Sequence, residues 1–265
     1  VRLAKLSVVI PAHDEEACIE STVRELAGEL ARAGLAHEIL VVDDHSSDRT
    51  AAVLAALARE LPELRVVPNE NPPGFGFAVR SGLERASGDA VAIAMADASD
   101  RPADLVRFVR CLEETGVDCV FGTRWSRDSR VVDYPLPKRL ANRIANHAIR
   151  ILFGFRYDDV TNAFKLYRGE VVEGLRPFLS HHFNLTVELP LKAIVRGYRY
   201  AVVPNDWVGR RAGQSKLRLK EMGSRYLFIV LYCLIEKWLS AGDYRRRELP
   251  AASPAEPGPG SPVDP

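Results

Sequence analysis

LSVVIPAHDEEACIE, residues 6–20, decides the fold. Leu6 to Ile10 is an unbroken apolar run that stops at Pro11, which reads as a strand buried on both faces and its end. Behind it, Ile19, Val23, Leu26 and Leu30 recur at helical spacing, and Gly34 closes that helix. The alternation continues outward. Glu38 to Val42 reads as a second buried strand, followed by an Ala-rich helix to about Glu60. Arg65 to Val67 is a third strand, and a helix runs from the Pro/Gly loop at 71–76 to Ala86. Ala90 to Met95 is a fourth strand, Pro102 opens the next helix, and Asp118 to Phe121 is a further strand. This pattern predicts a single-domain α/β protein, Rossmann-like, with a mostly parallel sheet and helices on both faces. The second half is less regular. It predicts a helix within 135–153 bearing Leu140, Ile144, His147 and Ile151, and a strand over Val160 to Tyr167. A helix over Leu185 to Val195 (despite Pro190), a strand over Tyr198 to Val203 and a long helix or helix pair over 217–241 complete it.

Of 265 residues 47% are apolar and 27% charged, and the formal net charge is +1. These values exclude a disordered chain, a collagen-like chain, a polytopic membrane protein and a surface wholly tuned to nucleic acid. Cys18, Cys111, Cys119 and Cys233 form no C-x-x-C pair and read as free thiols in a reducing compartment. His13, His45, His147, His181 and His182 show no metal-ligand spacing.

In parallel sheets ligands bind at the carboxyl ends of strands. The loops to inspect are therefore Pro11–Glu16, Asp43–Asp48, Ala96–Arg101 and Gly122–Arg127. Asp43 and Asp44 could accept hydrogen bonds from a ribose or a base, or cap the following helix, a task Ser46, Ser47 or Asp48 could also perform. Asp14 and Glu15 sit where acids favour the first turn of a helix. Asp97-Ala98-Ser99-Asp100 crowds two acids at one strand end. Oxygen ligands at that spacing suit Mg²⁺ or Mn²⁺ bridging to a diphosphate. A carboxylate and a phosphate oxygen about 4 Å apart repel by roughly 4 kcal/mol at an effective dielectric of about 20, so an anionic ligand requires a cation there. Asp100 could instead cap the helix that Pro102 opens. Gly74-Phe75-Gly76 reads as a turn before a helix.

Taken together these segments resemble the family 2 glycosyltransferases of GT-A fold, and most of all their dolichol- or polyprenyl-phosphate mannosyltransferase branch. The matching residues are Val9 to Glu15, Val41 to Thr50, the turn from Met95 to Pro102 and Gly122-Thr123-Arg124. Asp159 to Lys165, Glu188 and Arg210-Arg211-Ala212-Gly213-Gln214-Ser215-Lys216 follow in family order. The last of these, R-x-x-G-x-S-K, is the most specific. The resemblance implies that Pro11, Ala12, Glu15 and Asp43 line a nucleotide site with Asp44 beside them. It implies that Asp97 binds the metal and the donor diphosphate, and that Arg124, Arg210, Ser215 and Lys216 face the phosphates of donor and acceptor. Glu188 falls where the branch keeps an acid near the sugar or metal. The branch usually reads Asp-x-Asp where this chain reads Asp-Ala-Ser-Asp, so the second metal ligand is Asp100, Ser99 or a water, with Asp100 the choice.

The implied reaction is inverting transfer of a hexose from GDP-mannose or a UDP-sugar to a polyprenyl phosphate. Such an acceptor, with a second pKa of about 6, is already an anion at neutral pH and needs positive charge rather than a general base. The alternatives are a hydroxyl acceptor with a UDP-sugar donor, or a non-catalytic membrane scaffold.

Charge is unevenly distributed. Residues 207–247 hold ten Lys or Arg against three acids, whereas residues 1–206 and the tail from 248 each sum to −3. Within the basic segment Tyr226 to Ile235 is apolar without a break, half of the about 20 residues that a membrane span needs. A basic amphipathic helix on the inner face of a membrane is one reading, and a core or dimer-contact helix the other. The expected organisation is a transferase domain over 1–220, a membrane-contact helix over 221–247 and a disordered Pro-rich tail over 248–265.

Overall fold

A computed structural model describes residues 2–209 and 219–246. The chain runs through β1 (Leu6–Ala12), α1 (Ile19–Arg32), β2 (His37–Asp43), α2 (Thr50–Glu60), β3 (Leu64–Pro68), α3 (Phe75–Arg85), β4 (Ala90–Ile93) and α4 (Pro102–Thr115). It continues through β5 (Cys119–Thr123), β6 (Val131–Val132), α5 (Leu136–Phe153), β7 (Lys165–Arg168), α6 (Gly169–Gly174), α7 (Leu185–Val195), β8 (Tyr200–Pro204), β9 (Trp207–Val208) and α8 (Leu219–Leu239).

One sheet has the order β3-β2-β1-β4-β7-β5-β8, and β6 pairs with β9 in a small parallel ribbon. The large sheet is parallel except for β7, which is antiparallel to both β4 and β5. Every residue of β1 is buried because both of its faces are covered. Val8 and Ile10 enter one core with Ile19, Leu54 and Leu105, while Val9 enters the other with Val79, Leu83 and Leu189. Because β1 pairs with β2 on one side and β4 on the other, the chain reverses its direction of travel across the sheet there. The loops after β1, β2 and β4 therefore meet at a switch point, the preferred ligand position in such sheets.

Three elements depart from expectation for identifiable reasons. β7 begins at Lys165 rather than Val160, because the chain from Tyr157 to Asn162 forms a turn, with Asn162 N–H bonded to Asp159 O. In α5 the stripe Leu136, Leu140, Ile144 and Ile151 faces outward, and the packed face is Asn146, Ile149 and Phe153. That helix is docked by a polar contact, Asn146 Nδ2 donating to Thr161 Oγ1 at 3.0 Å. In α8 the expected amphipathic pattern is absent. Ile229, Val230, Cys233 and Leu234 are buried, yet Leu227, Phe228, Leu231, Ile235 and Trp238 are exposed. Ten successive apolar residues, Tyr226 to Ile235, cover nearly three turns, so no side of that stretch is left polar. The buried face is anchored by charge, with Arg196 forking onto Glu236 at 2.7 and 3.0 Å, and Arg246 reaching Asp118 at 2.6 Å. The expected boundary at 220 falls in the first turn of α8, and the expected tail lies outside the described residues. All four cysteines are free thiols.

Pro190 sits within α7 and cannot donate to the carbonyl of Thr186. The buried Lys165 ammonium donates to that carbonyl at 3.2 Å, so the helix continues without an orphan acceptor.

At the opposite end of the sheet Glu38 is buried and accepts hydrogen bonds from Ser7 at 2.6 Å, Ser87 N–H at 2.7 Å and Arg65 at 3.0 Å. Burial alone would raise its pKa, but these donors outweigh it and hold the carboxyl at about 2, below its ordinary 4.5. The ionised form is thus favoured in the fold, and the stability it contributes is present above pH 4.5 and lost as pH falls toward 2. Glu38→Gln is expected to lower stability by about 1–3 kcal/mol at pH 7 in urea denaturation, with the difference from wild type shrinking below pH 4.5.

Candidate active site

The loops after β1 and β2 are stitched together reciprocally. Asp44 N–H donates to Ala12 O at 2.7 Å, Ser47 N–H to Asp14 Oδ1 at 2.7 Å, Glu15 N–H to Thr50 Oγ1 at 2.8 Å and Glu16 N–H to Asp48 Oδ2 at 3.1 Å. Asp14 and His45 take left-handed backbone, with φ of 51° and 58°, which lets each loop turn back onto the other. Pro11, Ala12, Glu15 and Asp43 lie on this fixed floor. Asp43 is half-buried and accepts Ser46 N–H at 3.2 Å. Asp44 differs from the expectation drawn from the sequence. Its carboxylate is buried and accepts from Asn69 Nδ2 at 2.7 Å and Gly74 N–H at 2.9 Å, so it holds the 69–74 loop onto β2.

The turn after β4 carries the paired acids. Ala98 has φ of 56°, and Asp97 Oδ1 accepts Ser99 N–H at 3.2 Å. Asp100 does not cap α4; its Oδ2 reaches back to Met95 N–H at 3.1 Å. Burial first, and then the adjacent Asp97 charge, push Asp100 up to about 7. Two neighbouring oxygen-donor carboxylates, one kept from ionising first by burial and then by the other's charge, fit a hard divalent cation. Among the described residues no cluster of three or more His, Cys, Asp or Glu could hold a metal, so diphosphate oxygens and water would complete the shell.

Val208 N–H donates to Ser99 O at 3.1 Å and Gly209 N–H to Val132 O at 2.9 Å, so the chain arrives at Gly209 beside the acidic turn. The expectations for Arg210, Ser215 and Lys216 lie outside the described residues.

Arg124, at the end of β5, is buried and forks onto the fully buried Asp159 at 2.8 and 2.7 Å, and its N–H adds a third bond at 3.0 Å. Burial would lower the guanidinium pKa, but Asp159 outweighs it and keeps the group charged. The turn bearing Asp159 is itself braced. The Tyr157 hydroxyl lies 2.9 Å from Gly122 O, and Asn162 Nδ2 donates to the same carbonyl at 3.0 Å. Lys165 donates to the carbonyls of Val160 and Asn162, and burial lowers its pKa to about 7. Beside the pair, a cavity of about 360 Å³ is lined by Arg124, Trp125, Ser126, Ser129, Arg139 and Arg143. The guanidiniums of Arg124, Arg139 and Arg143 lie 5.5, 5.6 and 5.3 Å from the Trp125 ring, within cation–π range. Arg139 and Arg143 escaped sequence reasoning, although their i, i+4 spacing on a helix was a usable sign.

Glu188 corrects an expectation. It is fully buried, accepts from Leu179 N–H at 2.8 Å and Ser180 N–H at 2.7 Å, and pairs with the equally buried Lys192 at 2.6 Å. Its charge braces the chain before α7 and is fully used by these partners.

The sequence profile of Glycosyl transferase family 2 matches residues 7–176, which include both stitched loops, the acidic turn and the Arg124–Asp159 pair. The chain belongs to glycosyl transferase family 2. The chain is 29% identical over 230 residues to Glycosyltransferase AglD of Haloferax volcanii, covering 84% of this chain and 36% of that protein. It is 30% identical over 220 residues to a dolichol-phosphate mannosyltransferase of Pyrococcus furiosus, covering 82% and 60%. It is 28% identical over 241 residues to an undecaprenyl-phosphate mannosyltransferase of Micrococcus luteus, covering 88% and 96%. The chain thus spans about a third and three fifths of the first two relatives. Its fold is shared with glucosyl-3-phosphoglycerate synthase of Mycobacterium tuberculosis, crystallised with Mn²⁺ and UDP-glucose. The TM-score is 0.65 at 23% identity, over 88% of this chain and 78% of that one, and the GT-A expectation holds.

Asp159→Asn leaves the buried Arg124 without its counter-charge and is expected to cost about 3–5 kcal/mol in urea denaturation. Arg139→Ala, at an exposed position, is expected to change stability by less than about 0.5 kcal/mol.

Proposed function

We propose that this transferase moves a hexose, mannose in the first place, from a nucleoside-diphosphate sugar to a polyprenyl phosphate at a membrane surface. The observation that carries the reading is one edge of the sheet with two unlike anion sites. The acidic turn of Asp97 and Asp100 suits a diphosphate only through a cation, while the Arg124, Arg139 and Arg143 cavity suits a second anion directly. A transferase with a neutral hydroxyl acceptor has no use for that second site. The names of the Pyrococcus and Micrococcus relatives support a lipid phosphate as acceptor and mannose as the sugar.

In this reading Pro11, Ala12, Glu15 and Asp43 hold the nucleoside. Asp97 and Asp100 would hold Mg²⁺ or Mn²⁺, which when bound neutralises the leaving nucleoside diphosphate. Arg124, kept rigid by Asp159, orients the acceptor phosphate with Arg139 and Arg143, and the family resemblance assigns Arg210, Ser215 and Lys216 to the phosphates as well. The acceptor oxygen attacks the anomeric carbon directly, with inversion, and gives up no proton.

Among the described residues no helix is long and apolar enough to cross a membrane. The exposed Leu136, Leu140 and Ile144 of α5 and Leu227, Phe228 and Leu231 of α8 supply instead an apolar surface with arginines at its margin. We assign this surface to the bilayer that carries the acceptor.

Transfer of labelled mannose from GDP-mannose to undecaprenyl phosphate with Mn²⁺ is the direct test. Asp97→Ala is expected to lower turnover by at least about a hundredfold, and Arg139→Ala with Arg143→Ala to raise KM for the lipid phosphate by about tenfold or more. Transfer only to small hydroxyl acceptors from a UDP-sugar, or no transfer from any nucleotide sugar, would contradict the reading.

A further inference from the structure

A small ribbon outside the main sheet joins the two charged parts of the site. β6 and β9 pair in parallel, with Val131 opposite Trp207 and Val132 opposite Val208. The backbone of β9 also lies on the acidic turn. Asp100 and Trp207 form an antiparallel bridge, and Val208 N–H donates to Ser99 O at 3.1 Å. Asp206 pins the start of β9. Its Oδ1 accepts Arg130 N–H at 2.7 Å, and its own N–H donates to Asp104 Oδ2 at 2.7 Å. After β6 the chain turns at Asp133, with φ of 56°. A Cβ on Gly209 would lie 2.9 Å from the Asp133 carbonyl oxygen, so the close approach of β9 to that turn needs glycine.

The turn delivers Tyr134 between the two halves. Its ring centroid lies 4.8 Å from that of Trp207 and 5.8 Å from that of Trp125, at interplanar angles of 54° and 63°. Tilted rings at these separations attract one another. The Arg124 guanidinium lies 5.7 Å from the same ring and Lys138 Nζ 5.9 Å. A continuous path of contacts therefore runs from Asp100 through Trp207 and Tyr134 to Arg124 and Trp125. The two ends of the path also have supports of their own. Asp100 is held to Met95 N–H, and Arg124 to Asp159. Neither of these supports passes through Tyr134. What the ring adds is the spacing between the ends.

We propose that Tyr134 is a positioning residue for the transfer step, and that through Trp207 on one side and Arg124 and Trp125 on the other it fixes the distance between the acidic turn and the arginine cavity. The inference rests on the two-anion reading above, in which one substrate lies at each end of this path. A displacement of about 1 Å between reacting groups can cost about a hundredfold in rate while each binding site stays whole. Loss of the ring therefore acts on kcat rather than on KM.

The test is steady-state transfer of labelled mannose from GDP-mannose to undecaprenyl phosphate with Mn²⁺ by the full chain. Equilibrium binding of GDP with Mn²⁺, and of farnesyl phosphate, is measured on the same proteins. Tyr134→Leu is expected to lower kcat about tenfold to a hundredfold, with both KM values and both affinities within about twofold of wild type. Tyr134→Phe, which keeps the ring, is expected to recover kcat to within about threefold of wild type. Trp207→Leu is expected to match Tyr134→Leu, and the double variant to lose little more than either alone, because both remove one contact. Unchanged kcat in Tyr134→Leu, affinity losses as large as the loss in kcat, no recovery in Tyr134→Phe, or effects of the two leucine variants that multiply would overturn the proposal. Failure of the wild type to transfer to the lipid phosphate would remove the two-anion reading and the inference with it. Wild-type transfer to the lipid phosphate with a kcat indifferent to Tyr134 would remove the inference alone.

Discussion

The buried pair between Arg124 and Asp159 is the contact on which the rest of the site depends. A guanidinium and a carboxylate removed from water are stable only with close, forked geometry and full hydrogen bonding, and the pair has both, with three bonds of 3.0 Å or less. To hold Asp159 there the chain must turn sharply between Tyr157 and Asn162. That turn is secured by Tyr157, Asn162 and Lys165, all buried and all bonded to backbone carbonyls. The same turn carries Thr161, which docks α5 and thereby brings Arg139 and Arg143 over Trp125. One ion pair thus fixes the depth of Arg124, the path of the following chain and the position of the outer arginines.

The sheet sets the other half of the geometry. Its switch at β1 brings the loops after β1, β2 and β4 to one edge, and their reciprocal bonds make a floor that does not need a ligand to order it. The acidic turn closes that floor on one side, and its contacts with Val208 and Trp207 carry the chain from the far end of the sheet back to the same place. Negative charge lies at the acidic turn and positive charge at Arg124, Arg139 and Arg143, which the proposed function assigns to donor and acceptor respectively. An enzyme that joins a diphosphate sugar to a second anion needs this asymmetry, because the two substrates repel each other.

Much of the fold was legible because a strand buried on both faces leaves an unmistakable apolar run, as in Leu6 to Ile10. The strand-end rule located the acidic turn and Arg124 for the same reason. Side-chain partners were not legible. Asp43 ends β2 and Asp44 follows it in the loop, and only the distant Asn69 and Gly74 show that Asp44 has a structural duty. Glu188 stood at a family position, but its burial depends on Leu179, Ser180 and Lys192 coming together. In α5 the period named an apolar stripe without saying which way it faces, and the polar contact of Asn146 with Thr161 turns that stripe outward.

In the proposed function the nucleotide and the acceptor phosphate occupy separate places at one sheet edge. Equilibrium binding of farnesyl phosphate, measured with and without saturating GDP and Mn²⁺, tests it most directly. Two sites predict that farnesyl phosphate still binds saturably in the presence of GDP and Mn²⁺, and that Arg139→Ala with Arg143→Ala weakens it while leaving GDP affinity unchanged. Mutual exclusion of the two ligands, or equal loss of both in that double variant, would contradict it.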